Sequence, residues 1–63
     1  MTLTNYFCFT YTADDCVSAN EQCDNAETAI ARANAWRAIG TKATAYRMVL
    51  DCETLEVYHY PLN

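Results

Sequence analysis

Residues 26–38 read AETAIARANAWRA, and the reading of this stretch decides the fold. Six of these residues are alanine, and only Ile30 and Trp36 are large and apolar. On a helical wheel Ala26, Ala29, Ile30, Ala33 and Trp36 gather on one side, the stripe expected to face a core. A start at Asp24 or Asn25 is expected, because Asp24 and Glu27 have the spacing of a capping box. Gly40 is the expected stop, since glycine accepts the left-handed conformation after a last helical turn. Small side chains let a helix axis approach a sheet closely, with Trp36 filling the space at the open end. The opposite side carries Ala31, Ala35 and Ala38, flanked by Ile39. Either these follow from helix propensity alone, or they form a smooth apolar strip against which a partner lies.

Outward from the helix the periodicity changes to two. In residues 3–11, LTNYFCFTY, the residues Leu3, Phe7, Phe9 and Tyr11 alternate with Thr4, Tyr6, Cys8 and Thr10. This predicts a strand with the phenylalanine side buried. Residues 42–50 and 55–60 read as two further strands joined by DCET, with Asp51 bonding its own backbone to set the turn. Pro61 ends the last one. Residues 12–24 show no clean period: a loop, a helical turn opening at Asp14 or Asp15, and a brief edge strand around Cys16–Ser18 remain open. The whole, residues 1–63, reads as a single α+β domain. It is a two-layer sandwich of one helix on a sheet of about three strands, in the order β-α-β-β. A crossover from the first strand through the helix makes those two strands parallel if they are neighbours.

With 52% hydrophobic and 19% charged residues, the chain is not a disordered tail. At 63 residues it lies near the lower limit for folding on its own core. No apolar run is long enough for a membrane span, and the first residues lack the features of a signal peptide. This predicts a cytoplasmic protein in which Cys8, Cys16, Cys23 and Cys52 are reduced thiols. No C-x-x-C pair occurs, so neither a zinc ribbon nor a thioredoxin-like site is expected. A zinc or redox site assembled from the dispersed cysteines is the alternative of another class, as is a Cys16–Cys23 disulfide. His59, the only histidine, has no recognisable nucleophile or carboxylate in register. No catalytic residue, metal ligand or cofactor is therefore assigned.

Charge is distributed unevenly. The first 31 residues contain no Lys or Arg but hold Asp14, Asp15, Glu21, Asp24 and Glu27. All four basic residues fall between Arg32 and Arg47, and Asp51, Glu53 and Glu56 follow, for a net charge of −4. Direct binding of nucleic acid depends on neutralising phosphates with cations, and the acidic first half argues against it. It suits a protein partner with a basic surface, contacted by Asp14, Asp15, Glu21 and Asp24. Tyr6, Tyr58 and Tyr60 fall on strand positions opposite the expected core side, where tyrosines supply the large rigid area typical of interfaces.

Chain length, acidity and the strand–helix–strand core with NAETAIARANAW resemble small phage-encoded host-takeover proteins. These include the T7-type inhibitor of bacterial RNA polymerase and the small acidic anti-CRISPR proteins. The resemblance covers residues 25–50. It implies a non-catalytic inhibitor that occupies a basic, nucleic-acid-facing surface of a larger host enzyme or defence complex. The basic block from Arg32 to Arg47 departs from simple DNA mimicry. The expectation is a protein-binding inhibitor acting in the cytoplasm, the host's if the chain is phage-encoded. Its expected contacts are Asp14, Asp15, Glu21, Asp24, Tyr6, Tyr58, Tyr60, Ala31, Ala35 and Ala38, without nucleic acid or membrane. A small accessory or self-assembling structural protein, such as a homodimer, is the remaining alternative.

Overall fold

The computed structural model describes residues 1–63. In chain order it consists of β1 (Thr2–Tyr11), β2 (Val17–Cys23), α1 (Ala26–Ala38), β3 (Lys42–Asp51) and β4 (Val57–Pro61). The strands form one antiparallel sheet in the order β2-β1-β3-β4, and the helix packs on one of its faces. The fold is α+β, with a fourth strand in the segment whose sequence has no clean period. No helix is long and apolar enough to cross a membrane.

The extra strand reverses the expected chain direction. β1 turns back into β2 through residues 12–16, so the helix departs from β2 rather than from β1. When the chain returns as β3 it runs antiparallel to β1, from Tyr11 opposite Lys42 to Thr2 opposite Asp51. The parallel crossover expected from the sequence does not occur, because β2 intervenes between β1 and the helix. The β1–β2 register shifts between Thr10 and Tyr11, which leaves Ser18 as the extra residue of a bulge. There Thr10 Oγ1 and Ser18 Oγ share a hydrogen bond of 2.9 Å, satisfying the one buried polar side chain.

The helix ends as its sequence dictates. Asn25 is the N-cap, its Oδ1 accepting from the Thr28 N–H at 2.8 Å, so the cap is the later of the two expected residues. At the other end Gly40 adopts φ +88°. Its N–H donates to Arg37 O and that of Thr41 to Trp36 O, both at 3.0 Å, which closes the last turn in a Schellman motif. In the β3–β4 turn Asp51 Oδ1 accepts from Glu53 N–H at 2.9 Å and from Thr54 N–H at 3.4 Å, the expected self-bonded turn. Leu55 takes the left-handed position in that turn, at φ 61°.

The sheet is the other way up from the sequence expectation. The helix covers the side of β1 that carries Tyr6, Cys8 and Thr10, and the phenylalanine side is open. Only 7 of 63 residues are buried, and all are small: Cys8, Thr10, Cys23, Ala29, Ala33, Ala43 and Ala45. Tyr6, Ile30, Trp36 and Leu62 pack around them. The physical reason is clearance. A helix presenting methyl groups seats closely only on a strand surface that is itself made of methyls and thiols. Ala43 and Ala45 of β3, with Cys8 of β1, provide that surface, whereas Phe7, Phe9 and Tyr46 would hold the helix away.

Candidate functional site

On the helix-free side, alternation and register bring together Leu3, Phe7, Phe9 and Tyr11 of β1 with Tyr46, Met48 and Leu50 of β3. Val17 of β2 and Val57 and His59 of β4 flank them. The rings interlock: Phe7 and Phe9 stack at 5.9 Å between centroids, and Phe9 meets Tyr46 edge-on at 5.4 Å. A shallow hollow of about 240 Å³ lies among Phe9, Tyr11, Val17, Tyr46 and His59. Leu3, Val17 and Val57 are each more than half exposed. No carboxylate occupies this face among the paired strand positions, and its rim is amide, with Gln22 Nε2 donating to Asn5 Oδ1 at 3.0 Å. This surface is absent from the residues singled out in the sequence, because its members were assigned to the core. The signal that could have found it was the Ala43–Ala45 alternation in β3, the only strand surface small enough for an alanine helix.

The four acids expected to act together do not converge. Asp14 and Asp15 lie in the turn after β1, whereas Asp24 follows the far end of β2, about 20 Å away along a seven-residue strand. Asp15 is paired with Lys42 at 2.7 Å. Glu21 points under the helix side: its Oε1 accepts from Trp36 Nε1 at 2.8 Å and its Oε2 pairs with Arg32 at 3.1 Å. Arg32 in turn sits 5.8 Å from the Trp36 ring centroid. Glu21 is thus a structural group that anchors the helix to the edge strand, not a free contact.

The other cations are also engaged within the chain. Arg37 Nε donates to Ala43 O at 2.9 Å, and Arg47 lies over the Tyr60 ring at 4.7 Å. Arg37 and the chain's last two residues close the part of β3 that β4 does not reach. There Leu62 N–H donates to Ala45 O at 2.8 Å, and Asn63 Oδ1 accepts from Ala45 N–H at 3.1 Å. By contrast Asp14, Asp24, Glu27, Asp51, Glu53 and Glu56 form no ion pair. Asp51, Glu53 and Glu56 lie at the end of the sheet where β1 begins and β3 finishes, whereas Asp24 and Glu27 follow the end of β2, level with the middle of β1 on the opposite edge.

Tyr6, Tyr58 and Tyr60 share one face, as expected, but it is the helix-bearing face. Tyr6, Arg47 and Tyr60 stand in one cross-strand row. Tyr6 is half-buried against the core, and the Tyr58 hydroxyl donates to Glu56 Oε2 at 2.5 Å, which raises its pKa. Ala31, Ala35 and Ala38 are exposed on the outer side of α1, next to Ile39, which is 72% exposed. The strip exists, but it is narrow and bounded by Arg32 and Asn34.

The four cysteines are free thiols. Cys16 and Cys23 flank the length of β2 and cannot reach each other. Burial pushes the Cys8 and Cys23 thiols up, which suppresses the reactive thiolate. No three Cys, His, Asp or Glu side chains converge in a metal-binding group. His59 is exposed on the open face opposite Met48. Comparison with protein-family models, with curated protein sequences and with solved structures returned no significant match.

The hydrogen bond from Trp36, reinforced by Arg32, lowers the Glu21 pKa below the usual carboxylate value. A carboxyl depressed in the folded state stabilises the fold above its unfolded pKa of about 4.3, and that contribution is lost as pH falls through the folded value. The pair is partly exposed, so its worth is below about 1 kcal/mol. Thermal melts between pH 3 and 7 are expected to fall on the acid side, and less steeply for Glu21→Gln. Parallel acid limbs for the two proteins would show that Glu21 carries none of this dependence.

Proposed function

We propose that the protein is a non-catalytic protein-binding inhibitor of the phage host-takeover type. It engages a basic surface on a larger nucleic-acid enzyme or defence complex in the cytoplasm. The observation that supports this reading is the asymmetry of charge engagement. All four cations are held by groups of the same chain, while six carboxylates have no cationic partner. The basic block that departs from nucleic-acid mimicry in the sequence is exposed but engaged by groups of the same chain, whereas the six unpaired carboxylates are free to meet a basic partner. Such a surface steers association electrostatically and is weakened by salt.

The contact set differs from the one read in the sequence. It consists of the carboxylates without a cationic partner, Asp24 and Glu27 after β2, Glu53 and Glu56 in the β3–β4 turn and Asp14 in the β1–β2 turn, spread over both edges of the sheet. Affinity capture from bacterial lysate at low salt, followed by a salt gradient, tests it. A nucleic-acid enzyme is expected to be retained and then released with rising salt. The quadruple variant Asp24→Asn, Glu27→Gln, Glu53→Gln, Glu56→Gln should weaken retention at least tenfold. Retention that is unchanged in this variant and insensitive to salt would remove the basis of the proposal.

A further inference from the structure

We infer that the helix-free face of the sheet is covered by a second copy of this chain, the two sheets packing face to face as a twofold dimer. The inference goes beyond the proposed function and does not depend on it. Three observations carry it.

The first is where the large apolar side chains are. The core beneath the helix contains alanine, cysteine and threonine, while Phe7, Phe9, Tyr11, Tyr46, Met48 and Leu50 stand on the opposite face. A chain of 63 residues is marginal on its own core, and here the largest apolar residues lie outside that core. A cover that completes the core must be present whenever the chain is, and another copy always is.

The second is charge. The chain carries eight carboxylates, yet none lies at a paired position on this face. In a twofold interface every group near the axis meets its own copy. A surface bearing unpaired acids would repel itself; the one charged residue paired on this face is Lys42, at its margin and neutralised by Asp15 at 2.7 Å. A partner with a basic surface, conversely, finds no carboxylate here to pair with.

The third is size and shape. β1 has ten residues, and with its neighbours it presents a footprint of roughly 500–600 Å². The accessible area is larger, because side chains stand off the sheet, and it approaches the roughly 800 Å² per partner of a standard interface. The anatomy also matches: an aromatic centre at Phe7, Phe9 and Tyr46 lies inside an amide rim of Asn5, Asn20 and Gln22. Two twisted antiparallel sheets stack in aligned fashion, which gives a four-layer particle with both helices outermost.

Sedimentation equilibrium of the reduced full-length chain tests the inference, together with isotope-filtered NMR on a mixed labelled and unlabelled sample. The expected mass is twice 7.1 kDa at micromolar concentration, with intermolecular contacts between Phe9, Tyr46 and Met48. Met48→Glu, which places two carboxylates across the axis region, should raise the dissociation constant at least 100-fold. Ala35→Arg, on the outer side of the helix, should leave the dimer unchanged. A monomer at millimolar concentration would overturn the inference, and so would a dimer without contacts across this face. Dissociation by Ala35→Arg but not by Met48→Glu would move the interface to the helix strip and equally overturn it. Should Met48→Glu unfold the chain, the filtered contacts in the unsubstituted protein decide the matter. Failure here leaves salt-sensitive capture through the acids untouched, so the two readings fail separately.

Discussion

Ala33→Leu is expected to remove most of the domain's stability, costing about 3 kcal/mol. Ala33 is completely buried, and so are Ala29, Ala45 and Cys8 of the same cluster. These residues set the distance between helix and sheet, and no flexible side chain among them can move aside. Overfilling a packed site costs about 1–3 kcal/mol and occasionally more, and here a backbone lies on both sides of the added volume. A core of this size supplies only roughly 3–5 kcal/mol in total. Circular dichroism and urea titration provide the measurement, with Ala31→Leu on the exposed side as the control. The control should fold normally, because leucine is also a good helix former. A variant with leucine at 33 that melts as the unsubstituted protein does would mean that the helix is not seated on its Ala29–Ala33 stripe.

Trp36→Ala is expected to cost about 2–3 kcal/mol. Truncating a fully buried aromatic costs roughly 3–5 kcal/mol. Trp36 is half-buried at the margin of the core rather than at its centre, so part of that figure applies. The change also removes the donor to Glu21 and the ring beside Arg32. Trp36→Phe separates the contributions, since it keeps an apolar ring and loses the N–H; it should cost about 1 kcal/mol. Urea midpoints at neutral pH measure both. Equal losses in the two variants would assign the whole effect to the Glu21 hydrogen bond and none to packing.

Helix limits, cap, stop and facing stripe were legible in the sequence because each rests on local chemistry: Asn25, Gly40 and a 3.6-residue period. The hairpin turn at Asp51 was legible for the same reason. β2 was not, because VSANEQC has no apolar alternation. It is an edge strand with six of its seven residues exposed or half-exposed, so nothing in its burial imposes a period of two. The face of β1 was misread for a different reason. Hydrophobicity ranks Phe above Ala, Cys and Thr, but the helix selects by size, and its alanines fit only the smaller side. The same inversion hid the candidate interface and placed Tyr6, Tyr58 and Tyr60 on the wrong side. The acids failed as a cluster because closeness in sequence along a strand is distance in space.

The strand order has a consequence for how the molecule comes into being. Its two central strands are the first and the third, so Thr2 pairs with Asp51, most of the chain's length away. The β1–β2 hairpin and the helix can form early from local contacts, but they leave one side of β1 without a neighbour. That side carries a full row of unpaired donors and acceptors until β3 has been synthesised. Closing so large a loop is slow relative to hairpin or helix formation. During that interval the nascent chain exposes both an open strand edge and a row of aromatic rings. A ribosome that pauses before residue 51 therefore holds the species of this protein most prone to aggregate, and completion of β3 closes the open edge of β1.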